Sequence, residues 1–136
     1  MQAELFWLTL SVGLLIVQML VAATGTYLRV GLVAMAGNRE GLPEMTGWAG
    51  RAARAHRNML ENLLPFAALV LVLVALRRSS EVTVLAAQLF FWGRVAYALI
   101  YLAGVKWLRT LAWVVSLAGI LLILAVLLGW KAGPAY

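Results

Sequence analysis

Residues 51–66 read RAARAHRNMLENLLPF, a dense polar cluster that runs directly into an uncharged stretch. At ~1.5 Å per helical residue the uncharged run 62–76 spans roughly 22 Å, short of the ~30 Å hydrocarbon core of a bilayer. A helix that crosses the membrane here must extend backwards to Arg57, which draws Arg57, Asn58 and Glu61 to membrane depth. A charged side chain at that depth costs about 2.5 to 3.5 kcal/mol on insertion scales, and by default it marks a functional site with a partner nearby.

The chain of 136 residues is 65% hydrophobic and 12% charged, with a mean hydropathy of +0.96. A soluble domain of this size leaves too much of its surface in water to hide so much apolar area. The composition therefore predicts an all-α integral membrane protein, read as one domain over 1–136 without linker or repeat. The net charge of +6 and pI near 10.6 raise nucleic-acid binding as a class. Here, however, the bases stand beside apolar helices, where orientation and anionic ligands or membrane lipid account for them without nucleic acid. Without cysteine, and with a single histidine, one chain offers no disulfide, no thiolate nucleophile and no multi-histidine metal site. Any thiol chemistry must use a thiol that a substrate brings.

Uncharged runs predict four spans, about 5–28, 57–76, 82–105 and 110–130, the third interrupted only by Arg94. The start, MQAELFWLTL, lacks the basic region of a signal peptide and reads as the first span. Between spans lie GNREGLPEMTGW, then Arg77 to Glu81, then the basic turn Lys106 to Arg109; Lys131, Gly133 and Pro134 end the fourth span. Arg29, Arg39, Arg51, Arg54, Arg57, Lys106 and Arg109 fall on one side, against Arg77, Arg78 and Lys131 on the other. The positive-inside rule puts the richer side, with the polar cluster, in the cytoplasm and both termini on the non-cytoplasmic side. Trp7, Tyr27, Trp48, Trp107 and Trp130 lie near span ends and read as interfacial anchors. Gly93, Ala96, Ala103 and Gly104 read as places where helices approach closely.

Successive helical residues turn by about 100°, so Arg51, Arg54, Asn58 and Glu61 fall within an arc of roughly 80°. Arg57 lies on the same side and pairs with Glu61 at i, i+4, whereas His56 points the opposite way and reads as a rim residue. On the third span Arg94, Tyr97 and Tyr101 share a face within about 60°. Counted from the connection between the two helices, the stripes meet at equal depth, and Glu61 is the one acid available there to Arg94. The sequence thus predicts an Arg94–Glu61 contact. One reading makes this a structural ion pair. The other notes that Arg51, Arg54, Arg57, Arg94 and Arg109 surround a single carboxylate, an imbalance that implies an anion from outside the chain. Guanidinium forks suit carboxylate or phosphate.

These residues also carry a resemblance. Arg54-Ala-His-Arg-Asn58-x-x-Glu61-x-x-x-Pro65-Phe, with Arg94-Val-Ala-Tyr97-x-x-x-Tyr101 and the basic turn after it, resembles the signatures of the MAPEG family, membrane-associated proteins of eicosanoid and glutathione metabolism. The resemblance covers essentially the whole chain and looks like a bacterial member, which implies the inner membrane. It implies a homotrimer of four-helix protomers with glutathione bound between subunits. Carried over, Arg51, Arg54, Arg57, Asn58, Glu61, Arg94, Tyr97 and Tyr101 would line the glutathione site. Arg109, with Thr110 beside it, is the nearest match to an arginine proposed to stabilise the thiolate, and Tyr101 would assist. The implied activity is a glutathione transferase or peroxidase acting on an apolar electrophile from the bilayer. Its spacing from Tyr101 makes Arg109 depart from the better-known eicosanoid synthases. The alternative is a non-catalytic trimer that binds an anionic lipid or metabolite; a transporter fits less well, because the polar stripe occupies one end of the bundle.

Overall fold

The structure, a computed structural model, describes residues 1–130. Among them are four helices: α1 Ala3–Ala36, α2 Gly47–Ala75, α3 Glu81–Ala103 and α4 Leu108–Leu127. Each is long and apolar enough to cross a membrane, as the uncharged runs require, because in lipid a helix satisfies its own backbone. The protein is an all-helical four-span bundle. Two helices exceed the spans expected for them. α1 continues past Arg29 to Ala36 through a break at Gly31, whose φ of 81° only glycine adopts freely. α2 begins at Gly47, so the whole polar cluster is helical and stands as a continuation of the span. The residues that signal the end of the fourth span, Lys131, Gly133 and Pro134, lie outside the described residues.

Local chemistry fixes the ends. Ser80 and Thr83 form a capping box at the start of α3, the Thr83 amide donating to Ser80 Oγ at 3.3 Å and the Ser80 amide to Thr83 Oγ1 at 2.8 Å. Gly104, at φ 80°, terminates the same helix in the left-handed conformation. Arg78 donates to the carbonyls of Val126 and Leu127 at 3.3 and 2.9 Å, closing the orphan end of α4. Glu4, buried at the start of α1, accepts from Thr83 Oγ1 at 2.7 Å and so pins α1 to α3 at the same end of the bundle.

The core sits where α2, α3 and α4 meet. Met59, Leu63, Phe66, Val70 and Leu73 repeat at three- and four-residue spacing along α2 and face Ala86, Ala87 and Phe90 of α3 and Ile120, Ile123 and Val126 of α4. Phe66 and Phe90 stack with centroids 3.8 Å apart. α1 packs on α2 and α3 and makes no backbone contact with α4 among the described residues. Lipid is as apolar as leucine, so helix association here rests on close packing. The α3–α4 seam meets that requirement with glycine. A Cβ on Gly93 would stand 2.8 Å from the Ser116 nitrogen, and one on Gly119 would run into the Ala86 carbonyl oxygen. Gly93 was expected as a packing residue; Gly119 was not.

Gly119→Ala is expected to destabilise the bundle by about 1 to 3 kcal/mol, because backbone must move to admit the methyl group. Thermal unfolding in detergent checks this. Gly13→Ala, where a Cβ meets nothing within 4 Å, should leave the midpoint unchanged or raise it.

Candidate functional site

At the end of the bundle opposite the α2–α3 connection, the polar flank of α2 lies against α3. Arg51 Nε donates to the Leu102 carbonyl at 3.0 Å, and Arg54 Nε donates to the Tyr101 hydroxyl at 3.0 Å. One turn deeper, Arg94 Nη2 donates to Asn58 Oδ1 at 2.7 Å. The regular descent along both helices is what the shared faces predicted: three members of the α2 stripe reach α3, in order.

Arg94 is 1% exposed, the largest fully buried side chain among the described residues. Gly93 explains its burial, because the missing side chain lets α4 close over this part of α3. The guanidinium lies 4.4 Å from the centroid of the Tyr97 ring, a cation–π contact that stabilises the charge without neutralising it. Tyr97 and Tyr101 follow at 5.5 Å between centroids, and Arg109 of α4 covers the Tyr101 ring at 4.6 Å. Asn58, Tyr97, Arg109, Thr110 and Trp113 line a cavity of about 210 Å³. Thus Arg109, eight residues from Tyr101 in a basic turn, is brought to the same place as the α2 and α3 stripes.

The expected Arg94–Glu61 pair is not formed. Asn58 takes its place, and Arg94 Nε and Nη1 are buried without a hydrogen-bond partner. The rotation of α2 gives the reason. Its buried line runs through Met59 and Leu63, and Glu61 lies about 200° from either, on the outer face. Asn58 lies about 100° from Met59, at the flank, where it reaches α3. Glu61, Arg57 and Arg54 are exposed, and the expected Arg57–Glu61 pair is also missing: neither residue makes an ion pair among the described residues. His56 is half-buried. Trp113 is the cavity residue that sequence reading missed. Its spacing of four from Arg109 and three from Thr110 was the available signal, hidden in an apolar helix.

The arrangement is a set of cations around polar hydroxyl and amide groups, with no carboxylate bonded to Arg51, Arg54, Arg94 or Arg109 among the described residues. An unmet buried guanidinium calls for an acceptor. Two phenols and Thr110 add hydroxyl groups, each able to donate one hydrogen bond. Fold and geometry together define a multi-pass membrane protein whose helical bundle gathers Arg51, Arg54, Arg94 and Arg109 towards one end. The MAPEG family profile matches residues 5–129, nearly the whole chain. The chain belongs to the MAPEG family, whose members are membrane proteins associated with glutathione-dependent transferase and peroxidase chemistry. No curated protein and no solved structure matches it significantly.

Asn58→Ala is expected to cost about 1.5 to 3 kcal/mol, since it leaves the whole Arg94 guanidinium without a hydrogen-bond acceptor. Chemical or thermal unfolding of the detergent-solubilised protein measures this; a change below about 0.5 kcal/mol would remove the Asn58 contact from the account of Arg94.

Proposed function

We propose that the protein is a glutathione-dependent membrane transferase or peroxidase whose arginine site binds glutathione and raises the reactivity of its thiol toward an apolar electrophile from the bilayer. The observation that carries this reading is Arg94, buried with two nitrogens unpartnered beside a cavity that holds a second guanidinium, Arg109. Glutathione has two carboxylates and one ammonium, and suits a site with surplus arginine and one detached acid.

Each residue then has a role. Arg94, held by Asn58 and Tyr97, sets its positive charge directly behind the cavity that those two residues line, where it attracts a carboxylate. Arg51 and Arg54 form the mouth, anchored on the Leu102 carbonyl and the Tyr101 hydroxyl. Arg109, poised over Tyr101, places a positive charge where a thiolate would sit, and Tyr101 and Thr110 can each donate a hydrogen bond to it. When bound, glutathione contributes the nucleophilic sulfur that the cysteine-free chain lacks.

The cavity in one protomer, about 210 Å³, is below the ~300 Å³ at which small-molecule sites ordinarily begin. Arg57 and Glu61 stand on the adjacent exposed face. A homotrimer resolves both facts, with a second copy closing the site and bringing Glu61 to the ligand's ammonium. The excess of bases at this end supports a cytoplasmic orientation for it, with both termini on the other side, and the proposed setting is an inner membrane.

Thermal stability with and without glutathione tests the binding. A ligand at 100 times its Kd that binds only the folded state stabilises by about 2.7 kcal/mol. A shift with glutathione, lost in Arg54→Ala, supports the site; an equal shift with anionic lipid or unrelated carboxylates, and none specific to glutathione, would turn the reading to a non-catalytic anion binder.

Arg109→Ala tests the chemistry. A thiol with an ordinary pKa near 8.5 is about 3% ionised at pH 7. If Arg109 lowers that value by about two units, the variant should turn over roughly 25-fold more slowly at pH 7 with binding retained. Its rate should then climb with pH through about 8.5, where the native rate has already levelled. Parallel pH profiles would assign the thiolate to another group.

A further inference from the structure

On the other side of the α2–α3 seam, α1 closes a second cavity, of about 170 Å³. Ala52 and Ala55 of α2 and Ala98 of α3 leave the space by their small size, where α1 crosses with Val17 and Gln18. Val17 and Leu99 line the cavity and are 56% and 65% exposed, so it communicates with the surroundings of the bundle. None of the arginines of the glutathione reading touches it.

Gln18 is the single polar residue of the lining, is 9% exposed, and its Oε1 is buried without a hydrogen-bond partner. Its neighbours on α1 show how unusual that is. Thr9, Ser11, Thr24 and Thr26 all donate to carbonyls of their own helix four residues back, at 2.8 to 3.1 Å. They are polar residues made compatible with lipid. Gln18 is not, and a buried amide oxygen at this depth calls for a donor. Water does not supply it, because an ordered buried water needs two to four polar partners and this lining offers one residue. A dry apolar cavity near 150 Å³ holds a molecule the size of benzene. The occupant therefore needs an apolar body of comparable size and one hydrogen-bond donor.

We propose that the α1–α2–α3 cavity is a second binding site, for a neutral monohydroxylated apolar molecule dissolved in the bilayer, with its hydroxyl donating to Gln18. The site is separate from the arginine cluster and independent of the glutathione reading.

The test uses the full chain in lipid nanodiscs, photolabelled with 3-azioctanol and mapped by peptide mass spectrometry. Label is expected on the α1 segment 14–21 and the α3 segment 98–102. Octan-1-ol should displace it roughly fivefold better than 1-methoxyheptane, which has the same number of heavy atoms and no donor; that ratio is the worth of one net hydrogen bond. Gln18→Leu, an apolar residue in an apolar helix, should keep the label and lose the preference. Ala98→Leu, which fills the space, should abolish labelling at both segments. Glutathione should change none of these results. Equal competition by alcohol and ether in the native protein would overturn the proposal, as would a preference that survives Gln18→Leu. Label spread over the outer faces of all four helices, or none because a neighbouring copy fills the cavity, would overturn it too.

Discussion

The rest of the structure depends on a guanidinium held inside a membrane bundle without a counter-charge. Arg94 is almost completely buried, at a depth where a charge costs about 2.5 to 3.5 kcal/mol on insertion scales. What offsets this in the protomer is neutral: the amide oxygen of Asn58 and the face of Tyr97. Both stabilise the cation and leave it a cation. The same packing that excludes water from Arg94 leaves two of its nitrogens without an acceptor. Gly93 admits α4, and α4 brings Arg109 and Thr110 to the cavity that Asn58 and Tyr97 line. Packing and electrostatics are one device here.

The two flanks of α2 do different work. Its buried line of Met59, Leu63, Phe66, Val70 and Leu73 forms a core with α3 and α4. Between helices in lipid there is no transfer out of water to drive association, so the stacked Phe66–Phe90 rings and the glycine contacts at Gly93 and Gly119 carry it. The polar flank of Arg51, Arg54 and Asn58 sits at one end, where it orients α2 on α3 through three separate hydrogen bonds. Such bonds average well under 2 kcal/mol each in membranes. Three in register agree with the rotation of α2 that its buried apolar line sets, and that rotation decides which residues face the site.

Rotation is also where the sequence stops being legible. Uncharged runs reveal four spans, because a charge inside one is expensive, and a turn of about 100° per residue reveals which residues share a face. Depth counted from the α2–α3 connection brings Arg94 to the level of Asn58 and Glu61 together. It does not separate two residues about 60° apart on one helix. The buried stripe of α2 separates them, and that stripe is visible only once the partners of Met59 and Leu63 are known. Charge complementarity favoured Glu61; packing chose Asn58. Trp113 and Gln18 were hidden for a related reason. Each is a single residue in a helix of ordinary apolar character, and its meaning lies in the cavity it lines. Gly119 was missed because close approach is a property of two helices.

The displaced acid bears on the size of the functional unit. Glu61 lies fourteen residues before the end of α2 at Ala75, about 21 Å along the helix axis, within the ~30 Å of hydrocarbon. There it is exposed, together with Arg57. A carboxylate facing lipid at that level is as costly as Arg94 would be, and snorkelling relieves long basic side chains better than it relieves a glutamate. A protomer alone in a bilayer thus carries an exposed acid on α2 and a buried base that the acid does not pair with. Covering the exposed face with a second copy removes the first penalty, and an anion in the arginine site removes the second. Under the proposed trimer these become one event, since the ligand's ammonium meets Glu61 while its carboxylates meet arginine. Assembly and ligand binding are then coupled, because each lowers the desolvation cost that opposes the other.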